Sequence, residues 1–306
     1  MAITLATPNE FASAYLVDGR VKVDGFDVSY GWENGATAYA SAFTELTYDV
    51  SILPLSNFLI AMDKGMPLVG IPVWIDLFFP QIAIRVHKDS GIKSPKELEG
   101  RRVGIRGFGF NPAVWIRGGM ADVYGFDLTK VQWVSAEPNS MSQVDIATPA
   151  GISIDTTDPD LAGALENGEI DAILYDRGGP ALTPNTLNIF EDPLAEVVRY
   201  HEQTGVFPLN SMLVAKREVL DANPGLGQAI VDAHETARER YCAEVADDVT
   251  YMNIPIGWLR ERGLWPYKHG VEANRTALET IIRYAHEQGL ISKRQTIESL
   301  FFDGAI

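Results

Sequence analysis

Short apolar, β-branched runs that give way to helical patterns recur along most of the chain, and this alternation limits the possible folds more than any other feature. Strands that are each followed by a helix pair in parallel, because the helix carries the chain back to the same end of the sheet. Residues 3–6 read as a first strand, followed by a hairpin-like pair at 20–23 and 26–30 that turns at Asp24-Gly25. A helix over 36–46 leads to a strand at 48–52, which runs directly into a helix over 56–64 stopped by Gly65. Apolar runs at 68–73 and 81–86 precede Ser94-Pro95-Lys96-Glu97, a capping box with proline at the first helical position. Beyond it come a strand at 102–105, a helix from Asn111 to Tyr124 closed by Gly125, a strand at 131–134, a helix over 159–167 closed by Gly168, and a strand at 171–175. After Gly205-Val206-Phe207-Pro208, the run 212–215 reads as a return strand. The rest is mostly helical, most clearly at 224–244 and 274–288.

A chain of 306 residues exceeds what one hydrophobic core usually supports. The order of elements predicts an α/β protein of two lobes with a ligand cleft between them. Lobe I takes residues 1–88 and 207–306, and lobe II, residues 89–206, is inserted into it. One continuous α/β domain with a helical extension is the other reading of the same order.

Composition narrows the function classes. The net charge of −16 repels nucleic acid and anionic membrane surfaces, so neither is an expected partner. It does not exclude a small anion, which backbone N–H groups and a few arginines hold locally. With 46% hydrophobic and 22% charged residues and no single-sign tract, the whole chain is expected to fold. Cys242 is the only cysteine, which rules out an intrachain disulfide and a cysteine-based metal site; it reads as a buried helical residue. The opening residues lack a basic segment and a long apolar stretch, so the expected location is the cytoplasm.

The most informative stretch is Arg106-Gly-Phe-Gly-Phe-Asn-Pro-Ala-Val-Trp-Ile-Arg117. Asn111 suits an N-cap, Pro112 the first helical position, and Phe110 with Trp115 a hydrophobic staple. Because the helix follows a strand through a glycine-bearing loop, its free N–H groups should lie beyond the strand's carboxyl end, where open α/β sheets bind ligands. Gly107, Phe108, Gly109, Phe110, Asn111 and Ala113 are therefore candidate ligand-binding residues, although an ordinary capped helix has the same signature. A second strand-to-helix junction, Ile52-Leu-Pro-Leu-Ser-Asn57, adds Ser56 and Asn57. The strand at 171–175 runs out at Tyr175-Asp176-Arg177, where Arg177 could clamp a carboxylate or simply pair with Asp176 on the surface. Arg106 is a further anion candidate, and Arg117, more than a turn inside its helix, reads as structural.

His87, His201, His234, His269 and His286 are scattered without metal-ligand spacing, and no P-loop, dinucleotide or nucleophile-elbow motif occurs, so no cofactor and no metal are expected. Trp32, Trp74, Phe78, Phe79, Phe108, Phe110 and Phe207 suit either an aromatic ligand or core packing.

Several blocks, Gly100-Arg-Arg-Val-Gly104, Ala113-Val-Trp-Ile-Arg-Gly118, Tyr124-Gly125, Gly205-Val-Phe-Pro208, Val271-Glu-Ala-Asn-Arg275 and Glu287-Gln-Gly289, resemble the 4,5-dihydroxyphthalate decarboxylase family. The resemblance runs from about Leu16 to Phe301 and implies the type II periplasmic-binding-protein fold. Where that family has Tyr-Asp-His-Thr, this chain has Glu10-Phe11-Ala12-Ser13; where it has Arg-x-Phe-Arg-His, this chain has Leu77-Phe78-Phe79-Pro80-Gln81; and a family histidine is replaced by Ser211. Decarboxylating a hydroxylated benzoate needs a proton delivered to the ring carbon, and Glu10, Asp76, Tyr175 and Asp176 remain as candidate acids. Phe207 and Ser211 join the candidate ligand-binding set. The expected partner is a small-molecule carboxylate, with an oligomer possible and a substrate other than 4,5-dihydroxyphthalate. A binding or sensing protein that retained the fold without the chemistry is the alternative.

Overall fold

The computed structural model describes residues 2–32, 45–77, 79–135, 148–156, 160–174, 182–251, 253–265 and 267–305. The expected helix at 36–46 falls almost entirely outside them, as do Phe78 and Tyr175, Asp176 and Arg177. The chain divides into two compact units. The first comprises Met1–Leu77, Leu209–Glu279 and Lys293–Ile306, and the second Phe78–Pro208 and Thr280–Ser292.

In the first unit, five described strands form a sheet: β1 (Ile3–Ala6), β2 (Val28–Gly31), β3 (Val50–Pro54), β4 (Leu68–Leu77) and β11 (Leu209–Lys216), in the order β2-β1-β3-β11-β4. β1 is parallel to β2 and β3, and β11 runs antiparallel to β3 and β4. One sheet face carries the alternating pairs Ile3/Leu5, Val50/Ile52, Ile71/Val73 and Leu213/Ala215. Against it packs the helix Leu226–Glu244 through Leu226, Ile230, Ala233 and Ala237, the spacing of one helical stripe. Each fully buried Leu, Ile or Val in such a core contributes roughly 1.5–3 kcal/mol. Cys242, on the same helix, is half-buried.

The expected hairpin at 20–30 does not form. Val21 and Val23 are buried in the core just described, but as irregular chain, with the Val21 amide donating to the Tyr15 carbonyl. The Asp24-Gly25 turn is real, with Gly25 at φ +81, yet the strand after it pairs in parallel with β1, not with 20–23. Their alternation reflects two loop side chains reaching one core.

In the second unit, six described strands follow the order β10-β5-β9-β6-β7-β8. They are β5 (Ile84–His87), β6 (Arg102–Ile105), β7 (Gln132–Ser135), β8 (Ile154–Asp155), β9 (Ala172–Leu174) and β10 (Thr186–Asn188). β6, β7, β8 and β9 are parallel, and β5 is antiparallel to β9 and β10. The helix Asn111–Tyr124 has the predicted limits and is closed by Gly125 in the left-handed region at φ +64, a conformation that costs glycine nothing. The Ser94/Glu97 capping box is present, on a single 3-10 turn, Pro95–Leu98. Asp160 caps the helix Leu161–Glu166, its carboxylate accepting from the Gly163 amide, and the expected start at Pro159 lies outside the described residues.

The expected lobe boundaries are corrected in two respects. The chain passes between units at 77/78 and 208/209 instead of 88/89 and 206/207, and residues 280–292 belong to the second unit. The reason is packing within that unit. Tyr284 lies against Trp115 with ring centroids 5.7 Å apart and donates its hydroxyl to Asp122 at 2.6 Å, while Gln288 bonds both Arg117 and the Val114 carbonyl. The helix Arg275–Glu287 thus starts in one unit and finishes in the other.

Candidate functional site

In the first unit, the carboxyl ends of β1, β3 and β4 and the start of β11 share one sheet edge, since Ser211 pairs with Pro54 on one side and with Asp76 on the other. Five buried polar side chains collect there: Thr7, Ser56, Asn57, Asp76 and Ser211. Ser56 and Asn57 occupy the first turn of the helix Leu55–Asp63, whose N-terminal flanking residue is Pro54, so neither side chain is an N-cap. Their hydroxyl and amide oxygen are 3.3 Å apart. Asp76 accepts 2.8 Å hydrogen bonds from the Ser211 amide and the Asn210 side chain. It thereby steadies β11 where its register with β4 shifts.

Two residues at this edge carry no sequence signal. The Thr7 hydroxyl is buried without a hydrogen-bond partner, which is uncommon for a native polar group. Tyr251 sits on a short hairpin, Thr250–Tyr251 with Ile254–Pro255, turned through Asn253 at φ +64. Its hydroxyl accepts from the Leu77 amide at 2.8 Å. Burial pushes its phenol well above the usual tyrosine range, with Tyr267 and Asp76 nearby adding to the effect, so it stays a protonated donor. Phe11, held at φ +49, sets its ring edge-on to Tyr251 at 5.2 Å. Glu10, expected as an acid, is exposed and makes no cap bond to the turn it precedes.

The histidines, scattered in sequence, include one close pair. The His234 and His269 rings lie 6.4 Å apart in the first unit. His269 Nδ1 accepts from the Trp74 amide, and His234 Nδ1 lies 2.8 Å from the Ile230 carbonyl, leaving His234 Nε2 buried without a partner. Burial pulls His234 down to about 4 against the opposing effect of the Ile230 hydrogen bond, and pulls His269 well below its ordinary value. Among the described residues, no three His, Cys, Asp or Glu side chains gather as a metal site.

In the second unit, the carboxyl ends of the parallel strands β6, β7 and β9 form the corresponding edge. It carries Arg106, the loop Gly107–Phe110, the start of the helix Asn111–Tyr124, and Ser135, whose hydroxyl donates to the Arg106 carbonyl at 3.4 Å. Phe110 is the N-cap residue by its backbone, at φ −63 and ψ 123, so Asn111 is the first helical residue and Pro112 the second. The expected Asn111 cap is therefore displaced by one position, a shift that proline tolerates because neither position needs its N–H. Every residue from Gly107 to Met120, including Phe108, Gly109 and Ala113, is buried, so the helix start is not the open anion hole the sequence suggested. Arg106 is half-buried, with its guanidinium 5.8 Å above the Phe110 ring. Phe207 packs edge-on to Phe79 and His201, each at 5.6 Å, and serves this unit's packing.

Arg117 is fully buried, and its guanidinium reaches back to the loop. Nη2 donates to the Phe108 carbonyl at 2.5 Å, Nε donates to Gln288 Oε1 at 2.9 Å, and the group lies 4.0 Å from the centre of the Phe108 ring. This gives the structural role read from the sequence a specific form. Among the described residues no carboxylate pairs with the buried charge, and burial pulls its pKa down to about 9.

Comparison with known proteins agrees with this architecture. A 4,5-dihydroxyphthalate decarboxylase of Comamonas testosteroni is 25% identical over all of this chain and 98% of its own length. A second, from Pseudomonas putida, is 26% identical over 62% of this chain and 78% of its own length. Among solved structures, the periplasmic aliphatic sulphonate binding protein SsuA of Escherichia coli matches at a TM-score of 0.58 and 16% identity, covering 99% of this chain and 98% of that one. The alkanesulfonate-binding protein SsuA of Xanthomonas axonopodis pv. citri, bound to MOPS, also matches at 0.58, with 12% identity and 98% coverage of both chains. The fold is that of the periplasmic solute-binding proteins, and the resemblance to the decarboxylases spans the whole chain. With residues 22–244 matching the family model described as NMT1/THI5 like, this chain belongs to the NMT1/THI5-like family.

Proposed function

We propose that this protein encloses a small aromatic or cyclic carboxylate carrying a single negative charge, as a decarboxylase-related protein whose substrate differs from 4,5-dihydroxyphthalate. One observation carries the reading: in each unit, buried polar groups and the first turn of a helix collect at the carboxyl edge of the sheet, where open α/β sheets hold ligands. In the second unit the proposed anion donors are Arg106 and the backbone N–H groups of Asn111 and Ala113; the first unit's own edge carries the hydroxyl groups of Thr7 and Tyr251.

The single charge follows from what stands at the positions that distinguish this chain from the decarboxylases it resembles. Ala12, Leu77, Pro80, Gln81 and Ser211 are all buried and bring no cation. A second ring carboxylate left without a partner would cost several kcal/mol. A binding protein without turnover is the second reading, favoured by one observation. Asp76 has both oxygens engaged by N–H donors, and Glu10 is exposed, so neither is poised to deliver a proton. The sulfonate-binding proteins of the same fold are consistent with that alternative.

A thermal-shift screen of mono- and dicarboxylates tests the proposal, since a ligand at ~100 times its Kd stabilises by roughly 2.7 kcal/mol. Monocarboxylates should stabilise more than phthalates. CO₂ release from 4,5-dihydroxyphthalate at ordinary enzyme rates, on the order of 1 to 10³ s⁻¹, would refute the altered substrate, and CO₂ release from a stabilising monocarboxylate would decide between the two readings.

A further inference from the structure

The alternation at 20–24 that forms no hairpin still sorts side chains. Val21 and Val23 turn into the core, which leaves Arg20, Lys22 and Asp24 exposed along the other side of the same run. They form one wall of an open groove of about 590 Å³ in the first unit, a size ordinary for a small-molecule site. The other wall is a stripe of the helix Leu226–Glu244 that includes Gln228, Asp232 and Arg240. The floor between them is apolar, with Val21 and Ala233 buried and Phe26 and Ala229 half-buried. The loop enters β2 at its amino end, so the groove is separate from the candidate site at the carboxyl ends of β1, β3 and β4.

The charges lining the groove are partly fixed and partly unspent. Arg20 binds Asp18 through Nε at 2.9 Å and Nη2 at 2.8 Å, and its guanidinium lies 3.5 Å from the centre of the Tyr15 ring. Its carbonyl accepts from Arg240 Nη1 at 2.9 Å, which draws Arg240 to that end of the groove. The remaining Arg240 nitrogens, the Lys22 ammonium and the Asp24 carboxylate have no partner among the described residues. Asp232 accepts from Gln228 Nε2 at 2.7 Å. Spare cations alone would suit a simple anion. Spare cations and a spare carboxylate over an apolar floor suit a ligand that carries both charges and an apolar group.

We propose that this groove binds a zwitterion of the apolar α-amino acid class, with its carboxylate on Lys22 and Arg240, its ammonium on Asp24, and its side chain over Phe26 and Ala229. The net charge of −16 repels simple anions at long range, whereas a zwitterion arrives without net charge. Lys22, Asp24 and Arg240 are exposed, so water weakens each contact, and removing one should lower affinity by about two- to five-fold.

The test titrates the isotope-labelled full chain with L-phenylalanine, N-acetylphenylalanine and phenylalaninamide, the last two each lacking one charge, and follows backbone amide shifts. Phenylalanine should shift residues 22–26 and 228–233 and saturate, and each analogue should bind about two- to five-fold more weakly. Arg240→Gln should weaken phenylalanine and N-acetylphenylalanine and leave phenylalaninamide unchanged. Asp24→Asn should weaken phenylalanine and phenylalaninamide and leave N-acetylphenylalanine unchanged. Both are surface substitutions, so an unchanged melting temperature separates loss of the site from loss of the fold. No shift at residues 22–26, shifts that do not saturate, shifts confined to Thr7, Ser56 and Asn57, or binding that neither variant alters overturns the proposal. If N-acetylphenylalanine binds as tightly as phenylalanine and Arg240→Gln alone weakens both, the groove is an anion site and the zwitterion proposal falls.

Discussion

The ring of Tyr284 occupies the space a side chain on Gly118 would need, so that a Cβ at Gly118 would overlap the ring carbons. Two segments more than 160 residues apart in sequence therefore approach to backbone-and-ring contact inside the second unit, as the 162-residue separation of the Tyr284–Asp122 bond also records. Gly118→Ala is expected to destabilise the protein by roughly 1–3 kcal/mol, the usual cost of overpacking a close-packed core. Urea denaturation should show a lower midpoint, and Tyr284→Leu introduced into that variant should recover part of the loss, because the two positions are in contact.

Asp76 is expected to matter for the fold before any chemistry. Asp76→Ala removes the acceptor for the Ser211 amide and the Asn210 side chain, and a buried donor left unmet costs about 1–3 kcal/mol. Asp76→Asn retains one oxygen and should cost less. Chemical denaturation of the two variants gives the ranking, and equal stability of both with wild type would show that water replaces the carboxylate.

Thr7→Val should act in the opposite direction. The hydroxyl is buried and unpartnered in the ligand-free chain, so an isosteric methyl removes a desolvation cost and should raise stability by about 1 kcal/mol. If the hydroxyl serves the ligand, the same variant loses affinity for whichever carboxylate stabilises the wild type. Calorimetry on both proteins measures the two effects separately.

Stability should fall in mild acid. His234 is neutral when folded, with its pKa drawn from 6.5 to about 4 by burial, so between those values the unfolded chain binds a proton that the folded chain does not. Stability is thus complete above about pH 6.5 and declines as pH drops towards 4, by about 3 kcal/mol for this group at the low end. His269, also lowered by burial, moves in the same sense. Urea midpoints from pH 7.5 to 4.5 should show the slope, and His234→Leu should flatten it while changing little at pH 7.5.

Where a signal was local, the sequence carried it. The helix Asn111–Tyr124 was legible at both ends because proline and Gly125 mark them through backbone geometry alone, although the cap fell one residue early on Phe110. The pattern misled at Val21 and Val23, whose alternation comes from loop residues meeting a core that only the assembled sheet creates. The placement of 280–292 was illegible because it depends on Tyr284 meeting Gly118 and Gln288 meeting Arg117. Of the candidate site, Ser56, Asn57, Asp76 and Ser211 do share one edge, since strand ends are readable. Tyr251 was missed because its bond to Leu77 spans 174 residues, and Thr7 because a lone threonine after a strand resembles any other.

The helix that starts in one unit and finishes in the other also sets an order for biosynthesis. Residues 280–292 are translated only after residues 209–279, which separate them from the rest of their unit. Until they emerge, Arg117 lacks its Gln288 anchor and the groove beside Gly118 stands empty of Tyr284. The second unit cannot mature as the chain grows, even though most of it is translated early, and a nascent or prematurely terminated product would expose the apolar face of Trp115 to chaperones and proteases.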